Sequence, residues 1–359
     1  MKIIGCDLHA AQQALAILDC DTGEVVEHTL RHEGTSVRDF YASLGTPATV
    51  ALEATGTTTW FLTLLEELGI RYVVGHPAAV RKAETRHQKH DRRDAALLMR
   101  LTAEGRFPAI WLPGNELRDM RALLLHRHQW VRMRTRVRNG LKTIARDAGG
   151  RQQSGWSAAG QRWLAAVPLA RFAADRRTAL LTLHQALNAE IERLDVQIAA
   201  CADARSGTRL LMTHPGVGPI TALATDVFLG DPNRFASGKA LASYIGVIPR
   251  EYSTGGRQRL GQLTKQGNPF LRFLWCEAGL QAARRDGELR RFFGRKVTQK
   301  GVAKAHVAVA RKLGIRLWIM LRDQIDYQEF CRRAQLRPQE RRASAGMPEV
   351  NDGPQGVTD

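Results

Sequence analysis

No window of this sequence approaches eighteen apolar residues without a charge, so no stretch reads as a membrane-spanning helix. The N-terminus, MKIIGCDLHA, carries an Asp where a signal peptide would carry its apolar run, and a cytoplasmic protein without a membrane partner is expected. Cysteine is scarce: Cys6, Cys20, Cys201, Cys276 and Cys331 are odd in number, far apart and never in a CxxC pair. That pattern argues against a disulfide framework and against a zinc site, and leaves reduced thiols. No internal repeat is evident, and residues 336–359 lack the large apolar side chains needed to build structure, which predicts a disordered tail. Acid is also in short supply. Against 53 Lys plus Arg stand 35 Asp plus Glu, a net charge of +18 spread from Arg31 to Arg342 instead of sitting in one tail. Such an excess favours a polyanionic partner through counterion release from phosphates, a merely basic enzyme being the plainer alternative. With 359 residues, 44% hydrophobic and 25% charged, the chain reads as a soluble globular protein of more than one domain.

The first hundred residues alternate strand and helix patterns. KIIGCDL, QALAILDC and EVVEHTL read as three strands in an antiparallel meander, the last two joined by the Asp21-Thr22-Gly23 turn. A helix from Ser36, a strand ending near Glu53, a helix in TTTWFLTLLEELG and a strand in RYVVGHP follow, giving the order βββαβαβα. A hairpin sheet continued by strands reached through helices is the ribonuclease-H-like arrangement, a mixed sheet with helices on its faces. From Asn115 to about Ala148 the pattern is a long Arg-rich helix. In the helix after Pro168, Leu180, Leu183, Leu187, Ile191, Leu194, Ile198 and Cys201 make one apolar seam, as in a coiled coil, which could pack within the chain or form a dimer. The expected fold class is therefore α/β plus α, divided into an acidic catalytic domain (1–112), a helical coiled-coil spacer (113–205), a mainly helical C-terminal domain (206–335) and the tail.

Three constellations carry chemistry. Asp7 in GCDLH and Glu53 in ALEATG end strands one and four, which are neighbours in a ribonuclease-H-like sheet. Asp91 and Asp94, three apart in KHDRRDA at the start of a helix, share a helical face. Four carboxylates can then converge, and hard oxygen donors suit Mg²⁺ or Mn²⁺, a pair of which is standard machinery for phosphoryl displacement. Singly, each acid reads as a turn or helix-cap residue. Lys82, Lys89, Arg92 and Arg93 surround the last two acids, as expected where a phosphate approaches a negative cluster, and His87 and His90 nearby read as surface residues. The second constellation is PGVG at 215–218: a glycine hairpin between helices, through Gly216 and Gly218, can offer backbone N–H groups to a nucleic-acid phosphate, or can be an ordinary helix–helix turn. The third is YIGVIPREYSTGGRQRLGQLTKQGNPFLRFLW, where Arg250, Arg257, Arg259, Lys265 and Arg272 among glycines read as a flexible, phosphate-contacting segment leading into a helix, or as a hydrophilic loop.

The combination of GCDLHA, ALEATGTTTWFLTLLEELG, HDRRDAALLMRL, PGVGPITA and GVIPREYSTGGRQRLGQLTKQGNPFLR, in this order over about residues 2–325, resembles the DEDD transposases of the insertion-sequence one-hundred-and-ten family and the related pilin-gene (Piv-type) invertases. The resemblance implies a RuvC-like N-terminal domain, a coiled-coil spacer and a C-terminal transposase domain that together exchange DNA strands at specific sites, often guided by a bridging RNA encoded by the element. It places the acidic tetrad on Asp7, Glu53, Asp91 and Asp94. It also implies a serine nucleophile in a P-R-x-x-x-S-G stretch and a composite centre completed by a partner subunit, with double-stranded DNA (element ends and target) and a dimer or tetramer as assembly. Here the residue before Gly255 is Thr254 and serine stands at 253; ungapped matching favours Thr254, while the less hindered primary hydroxyl favours Ser253. Two rival readings remain: a hydrolytic RuvC-like junction nuclease using the same acids with water, which leaves 244–275 without a catalytic role, and a non-enzymatic nucleic-acid-binding protein with structural carboxylates.

Overall fold

The computed structural model describes residues 1–45, 47–54, 56, 58–83, 91–149, 156–252, 254, 257 and 259–335, with Asp91 described in its backbone only. The chain divides into two compact units, Met1–Asn115 and Glu116–Asp359. No described helix is long and apolar enough to cross a membrane, and all five cysteines are free. The tail, 336–359, lies outside the described residues.

In the first unit β1 (Lys2–Leu8), β2 (Gln12–Asp19) and β3 (Val25–Arg31) form the antiparallel meander read from the sequence. There follow α1 (Ser36–Ala42), β4 (Ala48–Glu53), α2 (Thr59–Glu67), β5 (Arg71–Gly75), α3 (Pro77–Ala83) and α4 (Asp91–Ala103). The sheet order is β3-β2-β1-β4-β5, with β4 parallel to both β1 and β5. It is a mixed sheet, as expected. Strand alternation decides what each face holds. Ile4, Cys6 and Leu8 of β1 and Val50 and Leu52 of β4 bury themselves against Val37 and Tyr41 of α1 and Phe61, Leu62 and Leu65 of α2. On the other face Ile3 packs with Ala95 and Met99 of α4, and Ala51 with Val80 of α3 and Leu97, Leu98 and Leu101 of α4. Each Val, Leu, Ile, Phe or Met among them contributes about 1.5–3 kcal/mol when fully buried, so α4 is held chiefly through Leu97, Leu98, Met99 and Leu101. Within the first core the buried Gln13 Oε1 accepts from the Tyr41 hydroxyl at 2.9 Å, and burial pushes the neighbouring Cys6 thiol well up, which keeps it protonated.

The second unit opens with α5 (Asn115–Asp147), α6 (Ala158–Ala166) and α7 (Arg171–Ala204). The seam of α7 is occupied inside the chain: Leu187 packs with Val137 and Leu141 of α5, and Arg127 Nε meets Asp195 Oδ1 at 2.7 Å across the two helices. Ile191, Leu194 and Ile198 are buried, whereas Leu183 is exposed. Then come α8 (Ser206–Met212), α9 (Pro219–Leu229), α10 (Gly238–Ile245), the short strands β6 (Pro249–Glu251) and β7 (Leu260–Leu263), α11 (Pro269–Arg285), α12 (Gly287–Lys300), α13 (Val302–Asp323) and α14 (Tyr327–Gln335). Met120 and Leu124 of α5 and Ile198 and Ala202 of α7 belong to the same core as Leu223, Trp275 and Leu313. The helices before residue 205 and those after it therefore complete one another.

A buried ionic knot pins α12 to α13 and α14. Asp286 Oδ2 accepts from Arg316 Nη1 at 2.7 Å and from the Tyr327 hydroxyl, while its other oxygen caps α12 by accepting from Leu289 N–H at 2.7 Å. Beside it, His214 is 1% exposed, with Nδ1 3.0 Å from the Pro215 carbonyl and Nε2 without a hydrogen-bond partner. Burial pushes its pKa down to about 4, against the opposing pull of the Pro215 carbonyl. In the unfolded chain the same imidazole titrates near 6.5, so the unfolded state binds the proton first and stability falls as pH drops from about 6.5 towards 4. At pH 5 the loss from this residue is about 2 kcal/mol relative to neutral pH. Urea unfolding at pH 7.5 and pH 5 is expected to show this loss in the parent chain and a smaller one in His214→Gln. Equal losses in the two proteins would remove His214 from the account.

Candidate active site

The sheet brings Asp7 and Glu53 together by register. β1 and β4 run parallel with Cys6 paired to Leu52, so the next residue of each strand, Asp7 and Glu53, stands at the same level on neighbouring strands. Alternation puts both on the face that carries Ile3, Gly5 and Ala51, the face covered by α4. Ala95, in the second turn after Asp91 at the start of α4, lies over Gly5, two residues before Asp7 on the same face, so the first turn of α4 directly adjoins this contact. Asp91 and Asp94 lie in that turn.

Both strand-end carboxylates keep solvent access, the Asp7 side chain at 18% and Glu53 at 30%. His9 Nε2 lies 3.1 Å from Asp7 Oδ2, and Arg81 Nη2 lies 4.0 Å from Glu53 Oε1. Asp94 is half-buried. Among the described residues no three His, Cys, Asp or Glu side chains stand close enough to share an ion, and the side chain of Asp91 lies outside that description. Asp7 and Glu53 share one face of the sheet, and a site built on carboxylates of this kind would suit a hard cation such as Mg²⁺ or Mn²⁺.

The basic residues expected around these acids are partly described. Lys82 on α3 and Arg93 on α4 are exposed, and Arg92 Nη1 lies 4.0 Å from Glu27 of β3. Lys89, His87 and His90 lie outside the described residues.

In the second unit the segment expected to be flexible is instead an antiparallel hairpin of β6 and β7. Tyr252 N–H donates to the Arg259 carbonyl at 2.8 Å, and Arg257 N–H to the Thr254 carbonyl at 3.1 Å, which closes the tip. Thr254 is exposed there, between Arg250, Arg257 and Arg259, which are exposed as well; Ser253, Gly255 and Gly256 lie outside the described residues. Arg272 is engaged elsewhere, donating through Nη1 to the carbonyls of Ile245 at 2.9 Å and Gln266 at 3.3 Å. It holds the turn that carries Lys265, whose side chain is exposed. At the other glycine motif, Gly216 has φ +87° and a Cβ there would stand 2.5 Å from the Ala282 nitrogen of α11, so packing alone accounts for this glycine. Gly218, the residue before α9, faces open space.

A family model for transposases of the IS116/IS110/IS902 family matches residues 208–294, and a second model, of DEDD transposases of the IS110 type, matches residues 4–147. The chain belongs to the IS110 family of transposases. It is similar to a probable family 20 transposase of Pseudomonas aeruginosa, 28% identical over 90% of this chain and 98% of the relative. A transposase for insertion sequence element IS1111A of Coxiella burnetii is 25% identical over 91% of this chain and 92% of the relative, and one for element IS1328 of Yersinia enterocolitica 27% over 76% and 84%.

Three residues of this transposase that bear on the acids were not singled out from the sequence. His9 and Arg81 contact Asp7 and Glu53 and sit in or beside motifs already recognised, but only the turn and helix geometry reveals the contact. Gly5 did leave a signal, since a glycine inside an otherwise apolar strand marks a close backbone approach. A Cβ at Gly5 would lie 1.9 Å from the Ala95 carbonyl oxygen and 2.5 Å from the Met99 nitrogen, so the α4 backbone rests directly on β1.

Proposed function

We propose that this transposase is a site-specific DNA recombinase in which Asp7, Glu53, Asp91 and Asp94 form the divalent-metal site of a ribonuclease-H-like (RuvC-like) domain, and in which Ser253 or Thr254 attacks the DNA phosphate. The observation that carries the reading is the register of β1 on β4, which sets Asp7 beside Glu53 on the face where α4 begins with Asp91 and Asp94. The sheet order β3-β2-β1-β4-β5 supports the ribonuclease-H-like assignment. When bound, Mg²⁺ or Mn²⁺ supplies neutralisation of the charge that builds on the phosphate oxygens. The four carboxylates hold it, and Lys82, Lys89, Arg92 and Arg93 draw the DNA backbone to an otherwise negative cluster.

The hairpin tip supplies the nucleophile. Its hydroxyl oxygen forms a bond to phosphorus as the bond from phosphorus to the departing deoxyribose oxygen breaks, and the hydroxyl proton is released. The phosphodiester energy is kept in the protein–DNA ester, so no nucleotide cofactor is required. Arg250, Arg257, Arg259 and Lys265 flank the tip as phosphate contacts, the α8–α9 turn offers a second contact through Gly218 with Gly216 packed on α11 behind it, and Arg272 fixes the base of the loop. The partners are double-stranded DNA at the element ends and target, a guide RNA encoded by the element, and further copies of the chain in a dimer or tetramer, acting in the cytoplasm.

The test is to incubate the full-length protein with Mg²⁺, element-end DNA and RNA co-purified from its host, then to map any protein–DNA adduct recovered on a denaturing gel. An adduct at Ser253 or Thr254 is the expected result. Cleaved DNA without an adduct would replace the reading by hydrolysis, and binding without cleavage by a non-enzymatic role.

A further inference from the structure

From Leu289 to Arg322 the chain holds ten Lys or Arg and no Asp or Glu. These residues form nearly all of α12 and α13, two helices joined at Gly301. Among the described residues the carboxylates paired with this stretch are Asp286, taken by Arg316, and Glu288, taken by Arg316 and by Lys312 at 2.6 Å, with Asp323 at its end. Arg322 pairs with Asp323, and Arg290 donates to the Arg284 carbonyl. Arg291, Arg295, Lys296, Lys300, Lys304 and Arg311 are left with no acidic partner among the described residues.

The remaining cations are arranged. Leu289 is buried and Phe292 and Phe293 pack against the core, which fixes the rotation of α12. Arg291 and Arg295, four apart, then share the outer face with Thr298, and Lys300 and Lys304 continue exposed charge around the turn into α13. Unpaired, exposed cations of one sign repel each other and cost stability unless something neutralises them, and their close spacing along one face suits a row of phosphates on one strand. Arg311 is half-buried on α13 and outside this row.

We propose that the outer face of α12, with the turn into α13, is a sequence-independent docking surface for the phosphate backbone of duplex DNA, through Arg291, Arg295, Lys300 and Lys304. The choice of DNA rests on the recombinase reading above; the charge row itself does not depend on it. Because these side chains touch no base-reading or catalytic group, the surface adds affinity and not specificity.

The test measures binding of the full-length protein to a duplex of unrelated sequence by fluorescence anisotropy across a salt series. Neutralising four phosphate contacts in Arg291→Gln/Arg295→Gln/Lys300→Gln/Lys304→Gln is expected to lower the slope of log K against log salt by about 3 to 4, at about 0.9 per contact on B-form DNA. The charge-keeping Arg291→Lys/Arg295→Lys variant should retain the parent slope, which separates lost charge from lost fold. A slope unchanged in the Gln variant overturns the proposal, as does a fall seen with duplex RNA but not with DNA. The recombinase reading fails separately: parent protein that makes no adduct at the element ends, yet shows the slope change, keeps the docking surface and loses the reading.

Discussion

Asp7→Asn is expected to lower DNA strand cleavage on the order of 10³-fold, about 4 kcal/mol of barrier, without unfolding the protein. The side chain stands at the end of β1, partly open to solvent and 3.1 Å from His9 Nε2, so an amide of the same shape leaves the sheet intact. What the amide removes is a negative charge beside Glu53, and with it the ability to hold a hard cation against a phosphate. Cleavage of element-end DNA and adduct formation should both disappear, while thermal unfolding and binding of non-specific DNA stay at parent levels. An Asp7→Asn protein that cleaves at the parent rate would show that the carboxylates are structural.

Gly5→Ala should affect both the fold and the site. The added methyl would stand 1.9 Å from the Ala95 carbonyl oxygen, and neither a β-strand nor a helix backbone can yield that much without moving as a whole. Overpacking of this kind costs about 1–3 kcal/mol, and the relief available is for α4 to lift from the sheet. If the proposed site draws on α4, that movement shifts Asp91 and Asp94 relative to Asp7 and Glu53, so cleavage should fall by about 10²-fold even at temperatures where the variant is folded, since a displacement of about 1 Å is enough for such a loss. Denaturant unfolding and cleavage assays on the same preparation check the two effects. A stability loss with unchanged cleavage would mean that the position of α4 does not set the site.

The sequence carried the first unit well. Short continuous apolar runs marked β1, β2 and β4, which are buried on both faces of the sheet, and the turn before β3 announced itself. Which side Asp7 and Glu53 face follows from pairing Cys6 with Leu52, a long-range register that no local pattern encodes. The β6–β7 hairpin escaped notice for a different reason: its strands are three and four residues long, largely exposed and interrupted by Arg and Gly, so neither alternation nor an apolar face betrays them. The seam of α7 was legible as a stripe, but its occupant was not, since Leu187 packs equally well on α5 or on another copy until Arg127 and Asp195 are seen to pair. At Gly216 the sequence leaves a phosphate contact and an ordinary helix–helix turn both open, and the close approach of α11 is a tertiary reason for the glycine that no local pattern carries.

The shared core of the second unit also bears on how such elements diversify. The matched family segments end with α5 and resume in α8, yet Met120 and Leu124 of α5 and Ile198 and Ala202 of α7 share a core with the helices that follow. A hybrid assembled from two relatives and spliced near residue 205 would mate mismatched interiors and lose several buried side chains' worth of cohesion at once. Spliced near residue 115, it would leave each interior with its own parent. Everything from α5 to α13 must therefore be inherited as a block.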